Sequence, residues 1–185
     1  SNTDSWVQRG STLYGSSSYS DFGHDVSLSE SGSRLAVVER NNDQSQTDAG
    51  AVRLFEYSHQ TSSYQSGTWN HNYNIYGTVA YEYVDSVSLS GDGARVAVGS
   101  WRKDTDGKYD NGHVRVFYWE TSQLGGDIVG ERSNDRLGET GTIDLDYNGN
   151  NLIVGAQEYD GTGDSNSGTG YAAVYTYQNG NWNKK

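Results

Sequence analysis

Three stretches of the chain carry one rhythm of apolar and polar positions: DVSLSESGSRLAVVER from Asp25, DSVSLSGDGARVAVGS from Asp85 and TIDLDYNGNNLIVGAQ from Thr142. Aligned on Gly32, Gly93 and Gly149, they place Val26, Val87 and Ile143 before the turn and Leu35, Val96 and Leu152 after it. VSLS alternates, whereas RLAVV and ARVAVG are nearly continuous apolar runs; the period is two, never the 3.6 of a helix, so both runs read as strands. A second anchor follows each time, GAVRLFEY from Gly50, GHVRVFYW from Gly112 and GYAAVYTY from Gly170, and predicts a third strand. An extended piece such as GTWNHNYNIYG supplies the fourth. Each unit is therefore expected to be a four-stranded antiparallel meander.

The units recur every 55–62 residues, roughly, in the range of propeller blades. Approximate boundaries are 16–77, 78–130 and 131–185, with 1–15 a lone fourth strand, all within one domain at 1–185. A four-stranded sheet of this size must stack on its copies to bury its apolar rows. Radial stacking gives an all-β propeller of three blades; a sandwich of irregular repeats is the competing architecture.

The motif order W-x-Q-x-G, D-F-G, V-S-L-S-x-x-G-x-R-L-A-V and G-x-V-R-V-F-x-Y resembles the FG-GAP-type blades of integrin alpha-subunit propellers. It is closer still to the serine-bearing SVSLS-DG repeats of microbial and algal extracellular proteins. The resemblance spans the chain, but YEYVDS replaces DFG in the second unit, and DRLGETG is longer in the third and keeps only Gly138. It implies an extracellular or cell-surface propeller with calcium at the turn between the first two strands.

Three blades do not close a ring, since propellers typically have at least four. The opening SWVQRGSTLYG matches a fourth strand, and the closing NGNWNKK looks like another cut short, leaving the last blade without its outer strand. An open edge is a template for another chain. Trp6, Val7, Leu13, Tyr14 and Trp182 are the expected inter-subunit strand residues. Two copies would make a six-bladed ring if the rotation closes and a filament if it does not. Alternatively the missing blades belong to a longer parent chain.

Composition narrows the function. Among 185 residues there is no Pro, Cys or Met, while 24 Gly, 15 Tyr and 5 Trp suit many short strands joined by turns. With 13 basic against 24 acidic residues the formal charge is −11, which opposes nucleic acid and anionic membranes. The same acidity serves plain solubility or a high-salt, cation-dependent setting. Without cysteine there is no disulfide framework from which to read a compartment. The start SNTDSW, lacking Met and an apolar leader, reads as a processed protein or a fragment, and no N-x-S/T acceptor occurs.

Candidate chemistry is sparse. Asp144, Asp146 and Asn148 alternate before Gly149 as oxygen ligands around a hard cation do, so Ca2+ is the possible cofactor; the competing reading is a polar hairpin turn. The acidic loops after the second strands hold Asp43 and Asp48, then Asp104, Asp106 and Asp110, then Asp160 and Asp164. With Trp101 and Tyr109, the middle group makes a candidate recognition surface for a glycan or an extracellular protein. Trp6, Trp69 and Trp182 share a fourth-strand position and read as packing, which leaves Trp101 and Trp119 as exceptions. His24, His59, His71 and His113 show no metal-ligand spacing, and G-x-S-x-G, a P-loop and a Cys nucleophile are missing. A non-catalytic structural or adhesive module is expected, with a lectin-like propeller as the alternative.

Overall fold

The structure is a computed structural model that describes residues 5–59, 67–159 and 168–185. Every regular element among them is a strand, and the twelve strands form three four-stranded sheets. Blade 1 holds β1 (Phe22–Leu28), β2 (Arg34–Glu39), β3 (Ala51–His59) and β4 (Gly67–Tyr76). Blade 2 holds β5 (Ser86–Leu89), β6 (Arg95–Ser100), β7 (His113–Tyr118) and β8 (Ile128–Val129). Blade 3 holds β9 (Ile143–Leu145), β10 (Asn151–Ala156), β11 (Tyr171–Gln178) and β12 (Asn181–Lys184). Strand order follows chain order in each sheet and all neighbours pair antiparallel.

The repeated phrase is the first hairpin of each blade. Gly32, Gly93 and Gly149 sit at φ 64°, 71° and 64°, a left-handed geometry that glycine adopts without steric cost. Their N–H groups donate to Ser29 O, Ser90 O and Asp146 O, which closes the turn. The apolar rows then meet between sheets. Ala36, Val38, Val52 and Leu54 of blade 1 pack on Val87, Leu89, Val96 and Val98 of blade 2. A second core joins Val114, Val116 and Leu137 to Ile143, Leu145, Leu152 and Val154.

Two expectations about the ends need correction. Blade 3 does not lack its outer strand, because β11 turns through Asn179 and Gly180 (φ 53° and 82°) into β12, with Tyr177 opposite Trp182. Two residues at positive φ are what a tight type I′ hairpin requires. Nor does the described part of the opening segment form a strand. Residues 5–15 lie against blade 1, with Trp6, Val7 and Tyr14 exposed and Leu13 half-buried.

Candidate functional site: the open flanks and the loop end

The two seams between blades are built alike. Asp25 Oδ2 and Ser27 Oγ, on β1, accept Val87 N–H and Leu89 N–H of β5 at 2.9 Å each. One blade on, Ser88 Oγ accepts Leu145 N–H at 3.0 Å. Polar positions on an inner strand thus satisfy backbone donors of the next blade, while Val87, Leu89, Ile143 and Leu145 are buried against it. An arginine hook adds to each seam. Arg34 Nη1 donates to Gly93 O at 2.9 Å with its guanidinium 4.8 Å from the Trp119 ring centre. Arg95 Nη1 donates to Gly149 O at 2.8 Å and lies 5.7 Å from the Tyr177 ring centre.

The opening segment copies half of such a seam. Arg9 Nη1 donates to Gly32 O at 2.7 Å and its guanidinium covers Tyr57 at 4.0 Å, as Arg34 and Arg95 do for Trp119 and Tyr177. Trp69 Nε1 donates to Arg9 O at 3.0 Å, just as Trp182 Nε1 donates to Leu124 O at 2.8 Å. Gln8 Nε2 reaches Thr12 Oγ1 at 3.1 Å where Gln123 Nε2 reaches Asp127 Oδ1 at 2.7 Å, four residues on in both cases. Gly10 and Gly125 have φ 73° and 76°. Residues 8–15, QRGSTLYG, therefore match residues 123–130, QLGGDIVG, the approach to β8 and the strand itself.

Both flanks remain open. On blade 1, Val26 and Leu28 are 59% and 55% exposed, whereas the equivalent Val87, Leu89, Ile143 and Leu145 are at most 8% exposed. On blade 3 the register puts Asp144, Ile153 and Val174 side by side, all exposed. Asn151 stands there where Arg34 and Arg95 stand in the other blades, so the trailing flank has no hook of its own.

The loop end is largely structural. Asp104 Oδ1 accepts Asp110 N–H at 2.7 Å, and Asp43 Oδ1 accepts Asp48 N–H at 2.7 Å, so these aspartates fold their loops. The loop carbonyls of Tyr109, Asp110 and Asn111 in turn hold Asn134, Arg136 and Leu137 of the next connection. Trp101 is 8% exposed and has the guanidinium groups of Arg102 and Arg136 at 4.8 and 4.7 Å from its ring centre, a correction to its place on a recognition surface. Trp119 is buried too. Tyr109 and Asp106 are exposed. Asp104 and Asp110 do border an open cleft of ≈ 570 Å³, with Tyr81, Arg102 and Lys103 on its wall. Asp160 and Asp164 lie outside the described residues.

Sequence reasoning missed a buried ionic group beneath this end. Glu82 Oε1 faces His113 Nε2 at 2.8 Å, and His113 Nδ1 faces Asp127 Oδ2 at 3.1 Å. Arg115 Nη2 and Lys103 Nζ stand 3.7 and 3.9 Å from the Glu82 carboxylate. Burial would raise the Glu82 pKa, but the hydrogen bond and attraction of His113, then Arg115 and Thr78, bring it down to about 2. Burial of Arg115 lowers its own pKa against the pull of Glu82 and Asp127. Glu82 also accepts the Thr78 and Val79 N–H groups, so the carboxylate shapes its loop from inside.

The turn expected to hold calcium is closed by protein groups. Asp146 Oδ1 accepts Asn151 N–H at 3.1 Å and Oδ2 accepts Asn151 Nδ2–H at 2.6 Å. Asp144 accepts from Ser88 Oγ, and Asn148 is exposed. Among the described residues no group of three or more His, Cys, Asp or Glu is gathered as a metal site. With both Asp146 oxygens bonded to Asn151, this donor set does not fit the ion that the FG-GAP resemblance implies.

No family model and no curated protein matches the chain. Among solved structures it is similar to the β-propeller domain of Cps50 (Swd1) from Myceliophteria thermophila, with a TM-score of 0.50 and 14% identity. That match covers 70% of this chain and 33% of the other, so the chain spans about a third of the propeller it resembles. The likeness is one of fold. The chain is an all-β, incomplete propeller of three four-stranded blades.

Proposed function

We propose that the chain is a non-catalytic structural and adhesive module, extracellular or at a cell surface, that joins a larger assembly through its two open blade flanks. One observation carries this reading: Val26 and Leu28 stand open on blade 1 at positions that are buried in both internal seams. Exposed apolar rows on a sheet face mark an interaction site rather than a finished surface. The extracellular setting draws on the likeness of the repeats to serine-bearing extracellular proteins and on the acidic charge of −11.

Sedimentation velocity across a concentration series tests the reading. The expected result is reversible association that Leu28→Arg on one flank or Val174→Arg on the other weakens at least tenfold. Association untouched by either change, or a protein monomeric throughout, overturns it. A second reading, a lectin-like or protein-binding role, rests on the cleft bordered by Asp104 and Asp110. A glycan array with the Asp104→Ala variant as control decides that reading.

A further inference from the structure

We infer that the cleft between the connection ahead of blade 2 and the loop after β6 binds a carboxylate-bearing sugar, a uronic-acid unit set in a glycan. Arg102 takes the sugar carboxylate, Tyr81 the face of its ring, and Asp104 and Asp110 its hydroxyl groups. The inference rests on the lectin-like reading and names its ligand.

Arg102 is a cation without a counter-ion. Its guanidinium lies 4.8 Å from the Trp101 ring centre and 5.1 Å from that of Tyr83, yet no hydrogen bond or ion pair ties it to any described residue. With 24 acidic residues against 13 basic ones, this is not for want of carboxylates. Lys103, its neighbour on the cleft wall, is tied down instead: Nζ donates to Thr78 Oγ1 at 3.0 Å and stands 3.9 Å from the Glu82 carboxylate. Arg102 is exposed, and the two rings limit the positions open to a long side chain, so less freedom remains to be lost when a ligand arrives. A planar guanidinium with free N–H groups fits a carboxylate through two parallel hydrogen bonds.

Tyr81 is held in a backbone conformation that its packing does not explain. It has φ 61°, a region bulky side chains rarely enter, and it is 57% exposed. Asn134, at the equivalent position before blade 3, shows that the loop shape needs no tyrosine. Strain of this kind gathers at ligand sites, and an exposed aromatic face is a platform for the C–H face of a sugar ring. The pairing is peculiar to blade 2: where it has Tyr81 and Arg102, blade 1 has Tyr19 and Asn41, and blade 3 has Asn134 and Glu158.

The carboxylates decide what else the ligand carries. Asp104 Oδ1 is taken by Asp110 N–H, but Asp104 Oδ2 and both side-chain oxygens of Asp110 have no donor among the described residues. Bordering the same cleft of ≈ 570 Å³, they repel a plain anion and accept O–H groups, so the ligand has hydroxyls beside its carboxylate. A uronic acid carries both on one ring, whereas an acidic peptide presents no such set of hydroxyls. At physiological ionic strength charges beyond about 8 Å are largely screened. One carboxylate among neutral hydroxyls therefore meets far less repulsion from the −11 chain than a nucleic acid does.

Titration calorimetry in EDTA, which removes calcium as a bridge between ligand and protein carboxylates, tests the site. The probes are oligosaccharides bearing one glucuronic or galacturonic acid, each as the free acid and as its methyl ester, and a tetraglutamate peptide. The free acid is expected to bind at least tenfold more tightly than its ester or the peptide. Arg102→Lys, which keeps the charge and loses the fork, should weaken that binding at least tenfold. Tyr81→Asn, which copies the residue of the loop before blade 3, should weaken it as much while the melting temperature holds or rises. Equal binding of acid and ester, or glycan-array binding confined to neutral glycans, overturns the carboxylate assignment and leaves the lectin-like reading standing. Peptide binding as tight as that of the acid overturns the sugar and leaves a protein partner. Binding indifferent to both substitutions overturns the choice of cleft, and a lowered melting temperature in Tyr81→Asn overturns the ligand role of that ring. Failure of every saccharide on the array to bind removes the lectin-like reading itself.

Discussion

Glu82 Oε1 lies 2.8 Å from His113 Nε2 with both side chains shut off from solvent, which ties the connection between blades 1 and 2 to the third strand of blade 2. A carboxylate held at a pKa of about 2, against an ordinary 4.5, is ionised in the folded state well below the pH at which the unfolded chain takes up its proton. Its stabilisation is fully present above pH 4.5 and is lost as the pH falls towards 2. A depression of that size corresponds to about 3 kcal/mol. Asp127 adds to the effect in the same direction, because the His113 hydrogen bond lowers its pKa. Denaturant midpoints should therefore fall steeply in that acid window. Glu82→Gln should start lower at neutral pH and show a flatter profile; parallel profiles for the two proteins would contradict the assignment.

Arg95 is expected to hold blade 3 on blade 2. Its Nη1 bonds both Gly149 O and Asn150 Oδ1, at 2.8 and 2.7 Å. Hydrogen bonds from a charged, partly buried group are worth about 1–2 kcal/mol after solvent competition, so Arg95→Ala should destabilise by that much. The loss should be local. Hydrogen exchange in β10 and β11 should speed up while β2 and β3 stay protected, and uniform acceleration over all three blades would refute the hook as a seam element.

Asn179 and Gly180 should decide whether β12 stays on blade 3. At φ 82° with open space around its α-carbon, Gly180 suffers from a side chain through backbone strain alone. Gly180→Ala should cost about 1 kcal/mol, chiefly as fraying of the hairpin. Trp182, whose Nε1 donates to Leu124 O, reports on it. Selective excitation is impractical with 5 Trp, so the measurement is the indole N–H signal of Trp182 by NMR, which should broaden or shift while that of Trp69 does not.

The strands of the repeated phrase were legible because burial on alternate faces writes a period of two directly into the sequence. Blade 3's outer strand was legible only as a fragment, although Asn179-Gly180 is a strong hairpin signal: NWNK carries one apolar residue, Trp182, and looks like an interrupted strand. The connections before each blade hid their likeness more completely. Tyr19, Tyr81 and Asn134 share a positive φ, as do Asp21, Tyr83 and Arg136, so the three loops have one backbone shape. Their sequences differ because the carboxylate that binds the loop amides moves. Glu82 and Asp135 lie inside their loops, whereas Glu39 reaches Ser16 N–H from β2. A contact supplied from another strand leaves no local trace. Trp101 misled for a similar reason, since nothing in WRKDTDG announces that the ring is buried with Arg136 of the next connection against it.

Asp146 tests whether the first hairpin turn of blade 3 takes a cation. Burial pushes its pKa up, but the side-chain and backbone hydrogen bonds from Asn151 outweigh that and leave it lowered. Its negative charge is therefore already balanced by N–H donors, and a calcium ion would have to displace Asn151 before binding. The gain from a bound ion scales with the logarithm of concentration over Kd, so even a weak site should raise the melting temperature in excess calcium. The expected outcome is the same melting temperature in EDTA and in excess calcium. Asp146→Ala should lower it in both, by the cost of leaving the Asn151 donors unpaired, about 1–2 kcal/mol. A calcium-dependent rise that Asp146→Ala abolishes would show that the turn opens to take the ion.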